Sequence, residues 1–317
     1  VYHKDNYPKG NDRMEAPRRG NGHDFNPNSE YRMYHGDLIP GFPQHPHRGF
    51  ETITATIEGF IDHSDSLGNA GRYGIGDLQW MTAGKGIVHG ENFPLIYNDK
   101  PNPLRLFQIW LNLPSKHKMV DPDFIMHWNE EIPVYKSNDN KTKVTIWAGE
   151  YNNIKALKPT TNSWAQDEYN EVTIYHIIIQ PSGEFILPAA KYGKDINRML
   201  YFIEGSSITI QSNDQDKQTI TEHIALTLNS SNSALVTNNH SSITAELLLL
   251  QGRPIAEPVA QHGPFVMNTN REIQQAFTDY SNTKFGGWKW DSDAVIFPRN
   301  KSRFALIKNI ETYPPNN

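Results

Sequence analysis

Glu51-Thr52-Ile53-Thr54-Ala55-Thr56-Ile57-Glu58-Gly59 alternates polar and apolar side chains and stops on a glycine. A period of two is that of a strand with one buried face, and β-branched Thr and Ile suit a pleated surface. Leu104 to Leu113 and Lys143 to Gly149 read the same way, and glycines at 68, 74, 76, 84 and 86 punctuate the chain at short intervals. Closely spaced strands separated by turn signals predict an all-β sandwich or barrel.

Just upstream of this strand stands His45-Pro46-His47, and further on His89-Gly90-Glu91 follows the Gly84-Lys85-Gly86 turn. Side chains two apart on a strand share a face, so each segment can aim two ligands the same way. Two such strands side by side would converge three imidazoles and a carboxylate on a metal. A closed structural site is the alternative, but four-ligand structural zinc sites are usually Cys-rich, and this chain has no cysteine. Parity puts Glu51 on the face of His45 and His47 if no bulge intervenes, as a group orienting a ligand or competing with Glu91. His63 reads as a strand-end histidine bonded to a turn rather than a further ligand. Gly84-Lys85-Gly86 lacks the spacing of a phosphate loop and reads as a tight turn.

The 317 residues carry a net charge of −5 and no basic run beyond Arg18-Arg19, which argues against direct nucleic-acid contact. No apolar stretch is long enough to span a membrane. Without cysteine, disulfides, thiolate metal sites and cysteine nucleophiles are excluded. No secretory signal is visible at the start, so a cytoplasmic location is expected.

The length is that of two domains. Residues 1 to about 30 read as an extended arm or loop, and Glu130 to Lys143, with its Ser-Asn-Asp-Asn-Lys cluster, as a linker. Beyond it strands resume over Val172 to Ile179, Phe185 to Leu187, Leu200 to Ile203, Ile208 to Ile210, Ile224 to Leu228 and Glu246 to Leu250. Short helices are expected near Ser115 to Val120 and Glu272 to Tyr280. Glu204-Gly205 closes a strand as Glu58-Gly59 does, a hint of duplication. The halves expected are 1–140, metal-bearing with the N-terminal arm, and 141–317, a second barrel with the C-terminal tail. Nine of the 13 histidines lie at or before His127 and the second half has no His-x-His, so only the first half looks metallated.

Three long motifs carry a resemblance to a known family. Gly41-Phe42-Pro43-Gln44-His45-Pro46-His47-Arg48-Gly49-Phe50-Glu51-Thr52, Gly76-Asp77-Leu78-Gln79-Trp80-Met81-Thr82-Ala83-Gly84-Lys85-Gly86-Ile87-Val88-His89 and Gln261-His262-Gly263-Pro264-Phe265-Val266-Met267-Asn268-Thr269-Asn270 resemble, in order, the signature of the pirins, within the cupins. The resemblance implies a bicupin of two jelly-roll barrels face to face, with His45, His47, His89 and Glu91 as ligands in the first. It implies mononuclear iron, and for some bacterial and animal members oxidation of quercetin by dioxygen. Animal pirins are also described as nuclear, iron-dependent transcription co-regulators.

Three imidazoles and one carboxylate leave positions open on an octahedral metal, as oxygenase chemistry requires. A flavonol could bind through its 3-hydroxyl, with Glu91 accepting the proton and Phe42, Phe50 and Trp110 forming an apolar wall. The expected function is that of a quercetin 2,3-dioxygenase-like oxidoreductase using Fe(II) and O2 on a small aromatic substrate. Mn, Ni, Co and Zn suit the same ligands. The alternative is a metal-dependent regulator that binds a protein partner and turns over nothing. Trp80 and Trp128 read as core, and His262 as a packing residue.

Overall fold

The computed structural model describes residues 1–18, 31, 36–212 and 217–315. Two compact units emerge, one of residues 1–130 with 257–317 and one of residues 131–256. In the first, β1 (Tyr2–Tyr7), β8 (Asn102–Asn112), β3 (Phe50–Glu58), β6 (Leu78–Thr82) and β9 (Asp123–His127) form one antiparallel sheet in that order. The other sheet runs β2 (Gly41–His47), β7 (Ile87–Asn92), β4 (Phe60–Asp65) and β5 (Ala70–Gly74), and continues into Phe304–Ile307 and Ile310–Thr312. Ile61, Tyr73, Met81, Leu104, Leu106 and Phe124 pack between the sheets. Trp128 joins this core, and Trp80 is fully buried as well.

The second unit repeats the double-sheet plan. Val134–Lys136, Thr142–Ala148, Thr173–Ile179, Ala245–Gly252, Asn197–Glu204 and Ala225–Thr227 make its larger sheet. Glu184–Leu187, Ala234–Asn238, Ile208–Ser212 and Gln218–Ile220 make the smaller. Both β3 and the strand 197–204 slip register beside their closing glutamate, between Thr56 and Glu58 and between Phe202 and Glu204. The repeated Glu-Gly ending thus marks the same bulged strand end in each half.

Several expectations change. The N-terminal arm contains a true edge strand, since Tyr2 to Tyr7 pair with Phe107 to Asn102; the part of that expectation covering residues 19–30 lies outside the described residues. The linker contains the strand Val134–Lys136, so the first unit ends at residue 130 rather than 140. The tail does not belong with the second unit. Residues 257–317 return to the first, because Phe304 to Leu306 pair with Arg72 to Ala70 of β5 and extend its sheet. The expected second helix is α1 (Asn270–Thr283), opened by a Thr269–Glu272 capping box. The first is a single 3₁₀ turn, Ser115–His117.

The strand that decides the fold class is buried on both faces except at its end. Its polar side, carrying Thr54, faces the barrel interior, where Thr54 Oγ1 donates to Glu91 Oε1 at 3.1 Å. Alternation in a barrel holding a polar site does not separate core from solvent; here the polar residues turn inward.

Candidate metal centre

His45 on β2 lies directly opposite His89 on β7 in an antiparallel pair. The ladder between these strands slips between Phe42 and His45. This bulge re-aims the segment, and the Pro43 carbonyl it carries accepts a hydrogen bond from His45 Nδ1 at 2.8 Å. Pro46 is tolerated because β2 is the edge of its sheet. His47 Nδ1 donates to the carbonyl of Pro264 at 3.3 Å. That carbonyl sits in the turn between Ala260–His262 and Phe265–Met267, so the third sequence motif supports a histidine of the first.

With each Nδ1 donating to a carbonyl, both Nε2 atoms present lone pairs, and they face one another at 3.1 Å. Two lone pairs at that distance repel unless a cation lies between them. A divalent metal with nitrogen bonds of about 2.1 Å sets adjacent ligand nitrogens about 3 Å apart. His89 completes the group, its ring centroid 4.5 Å from His45 and 5.0 Å from His47. One ligand atom from each of the three lies within 4.8 Å of the others, an arrangement able to hold a metal ion. His89 is fully buried and neither ring nitrogen has a hydrogen-bond partner, a state buried polar groups avoid unless a ligand satisfies them. Burial and the neighbouring imidazoles push His47 and His89 well below the ordinary histidine range. Both are therefore neutral, as metal ligation requires. The residues present fit a metal.

Glu91 follows His89 on the same face but is not part of that triad. Its carboxylate accepts from Gln108 Nε2 at 2.7 Å, Thr54 Oγ1 at 3.1 Å and Tyr73 OH at 3.4 Å. Burial and the nearby Glu91 push the Tyr73 phenol well above its usual range, so it stays a donor. Gln108, Thr54 and Tyr73 were not singled out from sequence; only the period-two pattern of their strands could have suggested that they face inward.

Glu51 departs from expectation. Its carboxylate accepts from Thr82 Oγ1 at 2.7 Å, while Phe50 and Thr54 face the cluster. The chain turns at Gly49, with φ of +87°, and the parity of β2 does not carry into β3. His63 Nε2 lies 3.5 Å from the carboxylate of Asp65, which caps the turn after β4, without a hydrogen bond to it. His63 is fully buried, paired opposite Glu91, with its ring 5.5 Å from His89 and neither nitrogen hydrogen-bonded. The three aromatic residues expected as a wall do adjoin the imidazoles: Phe50 is 5.0 Å and Trp110 5.4 Å from His47, and Phe42 is 6.3 Å from His45. His262 packs edge-on against Phe277 of α1. Gly84-Lys85-Gly86 is a turn closed by Gly86 N–H to Ala83 O.

No helix among the described residues is long and apolar enough to cross a membrane. The pirin family model matches residues 18–111 and the model of the pirin C-terminal cupin domain matches residues 174–286. A pirin-like protein of Solanum lycopersicum is 38% identical over 247 residues, 78% of this chain and 77% of that one. Human pirin is 38% identical over 259 residues, 80% of each chain. Among solved structures, a quercetin 2,3-dioxygenase from Acinetobacter baumannii superposes with a TM-score of 0.67 at 28% identity, covering 78% of this chain and 80% of that one. With two double-sheet units, an imidazole triad in the first and these relatives over more than three quarters of its length, the chain belongs to the pirin family of bicupins.

Proposed function

We propose that this protein is a metal-dependent dioxygenase acting on a flavonol such as quercetin, with mononuclear Fe(II) as the metal and Mn, Ni, Co and Zn as the alternatives. The observation that carries the reading is the 3.1 Å approach of His45 Nε2 and His47 Nε2, each imidazole locked by a carbonyl on its other nitrogen. The likeness to a quercetin 2,3-dioxygenase supports the substrate class.

His45, His47 and His89 would hold the metal, with Glu91 as fourth ligand. When bound, the metal supplies open coordination positions for the substrate and dioxygen. The protein's own part is orientation and proton handling. Phe50 and Trp110, 4.4 Å apart, present an apolar wall beside His47 on which a flat ring can lie. Trp110 is 43% exposed and marks the open side. Glu91 takes the proton that the flavonol 3-hydroxyl loses, and Gln108, Thr54 and Tyr73 hold the carboxylate in place.

Anaerobic loading with Fe(II), followed by quercetin and air, should bleach the flavonol absorbance and release carbon monoxide. Full metal occupancy without turnover would overturn the enzymatic reading and favour a metal-dependent regulator with a protein partner. Metal content by mass spectrometry tests the ligands separately: His45→Ala or Glu91→Ala should lower occupancy, and a variant that stays fully loaded removes that residue from the set.

A further inference from the structure

Among its described residues the second unit has no histidine cluster able to hold a metal, but it is not closed. A cavity of about 780 Å³ opens at one end of its barrel, a volume in the range of sites that take drug-sized molecules. Its place in the fold is informative. In the first unit β3 starts beside the triad with Phe50 and finishes at Glu58-Gly59, the far end. The corresponding strand finishes at Glu204-Gly205, and Arg198, near its start, lines the cavity. The cavity therefore occupies the barrel end that holds the imidazoles in the first unit. A register slip between Ile146 and Ala148 opens the wall there, and Ala148 and Gly149 line the gap.

The lining has the chemistry of a site for an uncharged ring. Tyr151 meets Tyr135 edge-on at 5.0 Å and Tyr175 at 5.6 Å. The hydroxyls of Tyr151 and Tyr175 donate to the carbonyls of Ile186 and Glu150, so these residues offer ring surface rather than free hydroxyls. Ile186 stands on the wall with 62% of its surface exposed. The four basic and four acidic side chains of the lining cancel. Lys155 Nζ lies 2.7 Å from Glu168 Oε1 and 3.8 Å from Glu150 Oε2. Arg198 donates to Gln251 Oε1, Asn232 O and Pro188 O, and the Glu171 carboxylate accepts the backbone N–H groups of Lys191 and Tyr192. A ligand pairing with Lys155, Arg198 or Glu171 would have to displace these partners.

We propose that this cavity is a second binding site, for a small uncharged aromatic molecule, independent of the chemistry proposed for the first unit. Calorimetric titration of the full metal-free chain with flavone, which has neither charge nor a chelating 3-hydroxyl, tests it. Saturable one-to-one binding is expected, unchanged in His89→Ala and at least tenfold weaker in Ala189→Trp, which fills the exposed rim. Ile186→Ser, at a solvent-facing wall position, should weaken it as well, and a carboxylated flavone should bind at least tenfold more weakly. Absence of saturation, equal binding of the carboxylated form, or binding lost in His89→Ala and kept in Ala189→Trp overturns the proposal.

Discussion

Two carbonyls, those of Pro43 and Pro264, decide the tautomers of His45 and His47, and with them what the pair can bind. Such outer partners fix ring orientation and raise ligand affinity. Neutrality has a consequence for the metal-free protein. In the unfolded chain these imidazoles titrate near the ordinary value of about 6.5; in the fold burial holds His47 and His89 well below it. Below about pH 6.5 the unfolded state therefore binds more protons, and stability is lost as pH falls toward the folded values, by up to about 1.4 kcal/mol per pH unit for each imidazole. Urea midpoints of the metal-free protein should drop between pH 7.5 and 5.5, and less steeply in His89→Leu. Equal slopes in the two proteins would count against neutral burial of His89. The histidines themselves were legible from their spacing. The face of Glu51 was not, because Gly49 breaks the parity between two strands that are adjacent in sequence.

Among the elements, the strap after α1 is held at its centre by one buried guanidinium. Arg72 of β5 binds Asp62 of β4 through Nε and Nη2, each at 2.7 Å, and donates further to the carbonyls of Phe297, Pro298 and Lys301. Asp62 also accepts from Phe297 N–H at 2.7 Å. Burial raises the Asp62 pKa against the pull of Arg72, so the carboxylate depends on its partner. Arg72→Leu removes the cation and leaves a buried carboxylate, at a cost of about 3–5 kcal/mol. Guanidinium denaturation should show that loss, and limited proteolysis should cut residues 284–303 first. A change below about 1 kcal/mol would mean the strap is anchored elsewhere. Neither β4, β5 nor the strap was read from the sequence; residues 284–303 carry no period, and the bonds that tie them to Arg72 span more than 200 positions.

At the scale of the whole molecule, the first unit is discontinuous in sequence. Removing residues 257–317 takes away Pro264 O, the strand 304–307 and the Arg48–Asp279 ion pair of 2.7 Å. The truncated chain should retain the second unit's β-sheet signal by circular dichroism and lose bound metal. Full metal retention would show that residues 1–130 make the centre unaided. The sequence by itself determined the strand grammar, the His-x-His and His-x-Glu pairs, the repeated Glu-Gly strand ends and the absence of a His-x-His from the second half. These follow from spacing along a few residues, where the geometry of a strand is enough. Only the tertiary structure decided that the last 61 residues complete the first unit, that Pro264 orients His47 across 217 positions and that Gly49, whose missing Cβ would lie 2.0 Å from Val266 O, admits that return. Contacts of that kind depend on where distant segments meet after the chain closes on itself, and no local period records them.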